Sequence, residues 1–468
     1  MYKLETNFIP ENEILDVTRL FRDKLTDDDK IVHRFEFFNN EINNFVSINN
    51  EEYVYSDIIS VSQSEELLHK RELKRACKTA VYKALKEYTG LVVPWGSLTG
   101  IRPTKLAYEY LNCGGSVDNL VDFLVKKYDI LPQKAKILKN IVLCQVEYVG
   151  LDEHFVNLYV HIPFCITKCS YCSFVTHVVD KCKKMIEPYV ALLKKEIESS
   201  IDLIYSEGKA IHSIYIGGGT PTALDDQSLE IVLKACSGFN VEFTCEAGRP
   251  DTITESKLLL MKKYGVTRVC VNPQTVNDKT LVKIGRKHSS EDFFNSYNLV
   301  KSLGFDVNVD LIAGLEDESF EDFKRSFDSV VALKPENFTV HTLCIKNGSE
   351  LKNSGGSNNS DIVRMVDYAE ETAKELGYVP YYLYRQKQML GNFENVGFCL
   401  PGKECVNNIT TMEEVLTVVG CGAGAISKRV FNAEHRIERY ANLRDVKLYI
   451  EEFDDRVKKK VNFFKNTP

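Results

Sequence analysis

Tyr159-Val160-His161-Ile162-Pro163-Phe164-Cys165-Ile166-Thr167-Lys168-Cys169-Ser170-Tyr171-Cys172 is the stretch on which the reading of this chain turns. An apolar run of strand length leads directly into three cysteines spaced CX3CX2C. Zinc sites usually take four nitrogen or sulfur ligands in CxxC-type pairs. A three-thiol loop of this spacing suits a cubane iron–sulfur cluster instead, with three irons fixed and the fourth left open to a small molecule. Three thiols buried on a loop would leave both the spacing and the preceding strand unexplained.

Working outward from this loop, short apolar runs alternate with amphipathic ones. Strands are expected at 156–161, 211–216, 241–246, 267–272, 306–312 and 337–342, with helices near 183–206, 225–237, 253–264, 290–303 and 318–333. Such alternation implies parallel strands joined by crossover helices. The fold class is α/β, a partial (β/α)6 barrel. Gly217-Gly218-Gly219-Thr220-Pro221-Thr222 follows the second strand, where glycines let backbone approach a ligand closely. Later strands end near polar residues: Glu246, Gln274, Asp310 and His341. Ligands of parallel barrels sit at the carboxyl ends of strands, so four such residues in register with the cysteine and glycine loops predict one site.

The barrel is expected over 151–350. Residues 1–150 read as an N-terminal α/β and helical domain, with a helix near 11–24, strands near 31–37, 43–48 and 53–61, helical patterns over 66–89 and 116–148, and turn signals across 93–105. Residues 351–468 read as an α+β extension covering the barrel mouth. It opens on a break at 355–360, continues with a helix near 361–376 and a strand near 379–384, and closes on a charged helix at 442–461 expected to be solvated.

The 468 residues are 44% hydrophobic and 27% charged, with a formal net charge of −7. This is a globular composition. Without a long basic run, a nucleic-acid surface is not expected. The start, MYKLETNFIPENEILD, lacks a signal-peptide pattern, and no apolar run is long enough to span a bilayer. A cytoplasmic protein with no membrane partner is expected. Of 14 cysteines, those outside the triplet are scattered and read as free thiols. Cys399 and Cys405 are close in sequence, but two thiols alone cannot hold an auxiliary cluster.

YVHIPFCITKCSYC, IYIGGGTPT, RVCVNPQTVND with Arg286 following, and VDLIAGL resemble the radical S-adenosylmethionine (SAM) enzymes of the oxygen-independent coproporphyrinogen III oxidase type. GIRPTKLAYEYL, PYYLYRQKQMLGNFENVG, VGCGAGAISK and the long N-terminal region resemble their HemZ-like coproporphyrinogen dehydrogenase subgroup. The resemblance implies a 4Fe–4S cluster on Cys165, Cys169 and Cys172, with SAM on the open iron. It puts Tyr159 and Tyr171 beside SAM, Tyr171 near the adenine. Gly218, Gly219 and Thr220 bind the methionine end, and Glu246, Gln274, Arg286 and Asp310 complete the pocket. The implied reaction is loss of a hydrogen atom, an electron and CO2 from propionates of a tetrapyrrole, coproporphyrinogen III. Two such steps give protoporphyrinogen IX in heme biosynthesis, with an electron donor such as a flavodoxin or ferredoxin. Another tetrapyrrole, an unrelated substrate, or a heme-binding chaperone on the same fold are the alternatives. The chaperones carry an HNxxYW-type segment, whereas the single tryptophan here is Trp95. Oxidases of this family have a further cysteine two residues after the triplet; Phe174 stands there. Substrate carboxylates call for cations outside the strands, and Arg102, Lys105, Lys346, Arg385 and Lys387 are the candidates, with His341 as a further substrate contact.

Overall fold

The computed structural model describes residues 2–59, 66–100, 102–172, 174, 176–344, 359–386, 389, 392–434 and 436–465. The chain forms two compact units, Met1–Lys139 and Asn140–Pro468. The division falls inside a helix, about ten residues ahead of the boundary expected from sequence.

In the first unit, β1 (Lys3–Thr6) runs parallel to β2 (Lys30–Phe38), and β3 (Glu41–Ile48) and β4 (Glu51–Ile58) follow antiparallel. Helices α1 (Asn12–Thr18) and α2 (Glu66–Thr89) supply Ile14, Val17, Cys77, Val81, Tyr82 and Leu85 to a core shared with Ile31, Ile42, Val46 and Ile48. Alternation in β3 puts Ile42, Asn44, Val46 and Ile48 inward, the period-2 pattern of a sheet covered on one face. The stretch read as turn at 93–105 yields α3 (Thr104–Asn112) after Pro103, and the helical pattern at 116–148 is two helices, α4 (Leu120–Tyr128) and α5 (Pro132–Val149). Asp129 in the left-handed region and Pro132 separate them.

The second unit carries all six expected parallel strands: β5 (Phe155–Ile162), β8 (Ala210–Gly218), β9 (Glu242–Cys245), β10 (Arg268–Cys270), β11 (Asp306–Ala313) and β12 (Asn337–Thr342). Two short strands, β6 (Phe164–Cys165) and β7 (His177–Val178), pair separately. The crossovers contain α6 (Val179–Ser206), α7 (Asp226–Ala235), α8 (Glu255–Lys263), α9 (Asp278–Lys283), α10 (Ser290–Ser302) and α11 (Phe320–Val331). β5 and β11 are buried on both faces, as parallel strands under helices must be. In α11, Phe323, Phe327, Val330 and Val331 turn inward, each phenylalanine contributing roughly 1.5–3 kcal/mol by burial. Its N-terminus is fixed by a reciprocal Ser319–Asp322 capping box, whose loss costs about 1 kcal/mol.

The C-terminal residues do not form a separate layer. They extend the central sheet at both edges, giving eleven strands in the order β13-β14-β12-β11-β10-β9-β8-β5-β15-β16-β17. β13 (Val379–Tyr384) and β14 (Asn395–Cys399) continue past β12, while β15 (Thr417–Cys421), β16 (Ile426–Phe431) and β17 (Arg436–Ala441) continue past β5. The reason is exposed hydrogen-bonding edge: an open six-stranded sheet leaves two rows of unpaired backbone groups, and these strands cover them. α12 (Asn359–Glu375) and α13 (Val406–Met412) lie in the same segment. The break expected at 355–360 falls largely outside the described residues.

The charged terminal helix is two, α14 (Val446–Glu451) and α15 (Phe453–Lys465), and it is not simply solvated. Lys460 is 2% exposed and reaches Glu196 of α6 at 3.0 Å, Ser200 Oγ at 2.9 Å and the Gly420 carbonyl at 2.6 Å. Glu196 also accepts from Tyr449, Asn442 and the Gly422 N–H. A buried carboxylate needs a cation and several donors, and these residues supply them.

Candidate functional site

The cysteine loop leaves the carboxyl end of β5 and is pinned on both sides. Gly219 N–H and Thr220 N–H donate to the Ile162 and Phe164 carbonyls, both at 2.7 Å. On the other side Ser170 N–H donates to Ile284 at 3.1 Å, and Thr167 Oγ1 to the Gly285 carbonyl at 2.9 Å. Gly285 has a φ of +76°, and a Cβ there would meet the Lys168 carbonyl at 3.0 Å. The sulfurs have their own donors: Thr220 Oγ1 lies 3.4 Å from Cys165 Sγ, and Arg249 Nη1 lies 3.7 Å from Cys169 Sγ. Arg249 is held by Asp251 at 3.0 Å and by Thr167. Burial pushes the Cys165 and Cys172 thiols above their ordinary range. One buried and two half-buried cysteines, provided with a hydroxyl and a guanidinium, suit thiolates bound to metal.

The strand-end residues gather beside this loop. Arg286 gives Nε and Nη2 to the Tyr171 hydroxyl at 3.2 and 3.0 Å and Nη1 to the Gly248 and Asn272 carbonyls. Tyr171 packs on Leu281, Ile284, Ile312, Leu315 and Leu343. Glu246 is half-buried. Burial, reinforced by the Asp310 charge, pushes its carboxyl up to about 8, against hydrogen bonds from the Gly218 N–H and Tyr215. At Gly218, φ is +104° and a Cβ would sit 2.6 Å from the His161 ring, so only glycine fits.

Asp310 behaves differently. Burial works to raise it, but His341, Asn308 and Thr339 together hold it below the usual carboxylate range. His341 Nε2 lies 3.6 Å from Asp310 Oδ2, and its Nδ1 lies 3.4 Å from the Tyr384 hydroxyl. Gln274 occupies the left-handed region at φ +70°, rare for a residue with a side chain. It is tied to β11 through its N–H to Asp310 O and its carbonyl to Ile312 N. Tyr159 stacks near Tyr215 and reaches His161 Nδ1 at 3.1 Å. Tyr159, Tyr171, Gly218, Thr220, Glu246, Gln274, Arg286, Asp310 and His341 are thus joined by contacts around one end of the sheet.

Arg249, His161 and Tyr215 escaped the sequence reading. Arg249 carried the same signal as the others, since Gly248-Arg249-Pro250 follows the third strand. His161 and Tyr215 sat inside apolar strand runs and carried none. Phe174, in place of a further cysteine, is 63% exposed.

The substrate cations come out differently. Arg385 follows β13 at the same end of the sheet as His341, but it is buried, and Nη2 donates to the Asn392 carbonyl at 3.1 Å and also to its Oδ1. Burial lowers its guanidinium to about 10, against the nearby Glu394 charge. A cation expected to face substrate carboxylates is engaged by its own loop instead, because a buried guanidinium takes the nearest oxygens. Arg102 and Lys105 lie in the first unit. Lys346 and Lys387 fall outside the described residues.

Residues 159–330 match the family model described as the radical SAM superfamily. The chain is similar to the oxygen-independent coproporphyrinogen-III oxidase-like protein HemZ of Bacillus subtilis (strain 168), 37% identical over 419 residues, 86% of this chain and 83% of that protein. It is also similar to the heme chaperone HemW of the same organism, 33% identical over 199 residues, 41% of this chain and 51% of that protein. Among solved structures, coproporphyrinogen III oxidase (HemN) from Escherichia coli, a radical SAM enzyme, aligns over 67% of this chain and 72% of its own at a TM-score of 0.53 and 22% identity, a likeness of fold. No helix among the described residues is long and apolar enough to cross a membrane.

The cofactors of this superfamily are a 4Fe–4S cluster and SAM, and the residues fit both. Sulfurs with donors suit a cluster, and a half-buried carboxyl with little cationic compensation suits the cationic groups of SAM. On its sequence, its parallel strands and the loop they carry, the chain belongs to the radical SAM superfamily, in the group of HemZ-like relatives of oxygen-independent coproporphyrinogen-III oxidase.

Proposed function

We propose that this protein is a cytoplasmic oxidoreductase that decarboxylates two propionates of coproporphyrinogen III to give protoporphyrinogen IX without oxygen, drawing electrons from a flavodoxin- or ferredoxin-type donor. The observation that carries this reading is the gathering of three thiols, two of them with side-chain donors, and a half-buried carboxyl raised by desolvation at one end of the parallel sheet, in a chain similar to HemZ along most of its length. Cys165, Cys169 and Cys172 hold three irons. When bound, the cluster and SAM supply a carbon-centred radical able to take a hydrogen atom from an unactivated position. Glu246 takes a cationic group of SAM, Gly218, Gly219 and Thr220 its methionine end, and Asp310 a ribose hydroxyl pair. Arg286 orients Tyr171 toward the adenine, while Tyr159 and Gln274 line the remaining walls. His341 fixes Asp310 and borders the substrate. Arg102, Lys105, Lys346 and Lys387 are the proposed propionate contacts. No general base is required, since hydrogen-atom abstraction moves proton and electron together.

The test is an anaerobic assay of reconstituted protein with coproporphyrinogen III, SAM and a reductant, followed by mass detection. Protoporphyrinogen supports the proposal; SAM cleavage with substrate untouched removes it. The similarity to HemW supports a second reading, a heme-binding chaperone. Hemin titration separates the two: tight stoichiometric binding without turnover selects the chaperone.

A further inference from the structure

The opposite end of the same sheet holds a second cluster of ligand-type side chains. Cys144 on α5, Cys399 at the end of β14 and Glu404 in the loop before α13 each offer one ligand atom, and these atoms all lie within 4.8 Å of one another. We propose that they bind a divalent, zinc-class metal ion, independently of the cluster and of the substrate reading.

The location follows from register. Cys399 pairs with Asn337, the first residue of β12, and with Val379, the first of β13. The site therefore sits at the amino ends of the strands, whereas the cysteine triplet sits at their carboxyl ends.

The geometry is close to what a metal needs. Zinc binds sulfur at about 2.3 Å and carboxylate oxygen at about 2.0–2.2 Å, so tetrahedral ligands lie roughly 3.6–3.8 Å apart. Cys144 Sγ and Glu404 Oε1 are 3.7 Å apart. The carboxylate is oriented by the Gly402 N–H at 3.1 Å and approached by the Tyr148 hydroxyl at 3.5 Å. The loop beneath it is fixed by charge. The buried Arg268 guanidinium donates to the Lys403 and Glu404 carbonyls at 3.1 and 3.2 Å, and Lys403 Nζ reaches Asp306 at 2.9 Å. Outer-shell support of this kind is what holds first-shell ligands in place. Cys405, close to Cys399 in sequence, is not a partner, since its thiol points to Glu242 Oε1 at 3.4 Å.

The donor set selects the ion. Two thiolates and one carboxylate favour zinc-class metals over magnesium or calcium, which take oxygen alone. Three protein ligands leave a fourth position for water. A divalent ion on three anionic ligands leaves one negative charge, and Arg268 stands close by to offset it. The ion would staple this turn of α5 to the β13–β14 edge, where Gln145 already donates to the Tyr381 carbonyl at 2.9 Å.

The test uses the full chain, purified anaerobically, cluster-reconstituted and given zinc. Elemental analysis should find about one zinc per chain beside about four irons. Cys144→Ala, at a half-buried position, and Glu404→Gln should each weaken zinc binding more than roughly tenfold in competition with a chromophoric chelator, iron content unchanged. Cys165→Ala should lose iron and keep zinc. Cobalt loaded in place of zinc should give a thiolate charge-transfer band that Cys144→Ala weakens. The proposal is overturned if the wild type takes up no zinc, if Cys144→Ala and Glu404→Gln retain it undiminished, or if thiol counting shows Cys144 and Cys399 joined as a disulfide.

Discussion

The two ends of the six parallel strands are built on opposite electrostatic plans. At the amino ends, charges answer one another inside the protein: Arg268 pairs with Glu242 at 3.2 Å, Lys403 with Asp306 at 2.9 Å, and Asn337 bonds Arg268. At the carboxyl ends, acids are buried ahead of their partners. Glu246 is pushed up to about 8 by burial and Asp310, and Glu318 to about 7 by burial against bonds from Thr275 and Thr280. Asp310, by contrast, is held down by His341 and its neighbours. At the amino ends these cations and acids are matched by one another. The carboxyl end keeps an electrostatic deficit that a cationic ligand can fill, as binding sites that break the rules of a stable core tend to do.

The comparison is broken most severely by removing Cys165, Cys169 or Cys172. Each alanine variant should lose the cluster outright, read as iron content and visible absorption. At the other end, Arg268→Ala should leave about four irons on the folded fraction yet destabilise the protein by about 1–3 kcal/mol, because the half-buried Glu242 loses its cation and the Lys403 and Glu404 carbonyls lose their donor. Denaturant titration reads the difference. If Arg268→Ala were as stable as the wild type, the amino-end network would be decoration.

Glutamates at the two ends of β9 make the next contrast. Glu246→Gln should weaken SAM binding about tenfold to a hundredfold, measured by equilibrium binding, with the cluster intact. Glu242→Gln should leave SAM affinity alone and lower the denaturation midpoint.

pH sharpens the same contrast. The folded pKa of Glu246 lies above its unfolded value, so the native state holds the extra proton between about 4.5 and about 8. Stability without SAM should therefore fall as pH rises through that window, by an amount on the order of a few kcal/mol. Glu246→Gln should remove most of the slope and leave the part due to Glu318. Urea midpoints at pH 5 and pH 8 measure it, and a slope unchanged in Glu246→Gln assigns the titration elsewhere.

The smallest effect is expected from His341→Gln. Without the imidazole, Asp310 should titrate higher, and SAM affinity should drop less than about tenfold. No change in either would separate His341 from the pocket.

How much of this was legible in the sequence follows the same division. The six strands were plain, because strands buried on both faces are near-continuous apolar runs, and β5 and β11 are of that kind. Residues that follow strands, such as Glu246 and Gln274, were plain because the chain itself announces a strand end. The amino-end partners were not. Arg268, Asp306 and Asn337 meet Lys403 and Glu404 only through folding, across sequence separations that no local pattern encodes. Arg385 was misjudged for the same reason, since the carbonyls that hold it belong to a loop with no charge pattern of its own. The edge strands β15–β17 were illegible because what fixes them is the hydrogen-bonding row of β5, not their own periodicity.

The Glu196–Lys460 contact has a consequence in time. The two residues are 264 positions apart, with Lys460 near the end of the chain and Glu196 in the first crossover helix of the barrel. At ribosomal rates of about 5–20 residues per second, the acid waits roughly ten seconds to a minute for its cation to be synthesised. Five of the six parallel strands, β8 to β12, emerge in that interval, with the β5 edge bare until β15 is made and a carboxylate unmatched in the first crossover. On the ribosome, then, this buried ion pair closes only after α15 has been made.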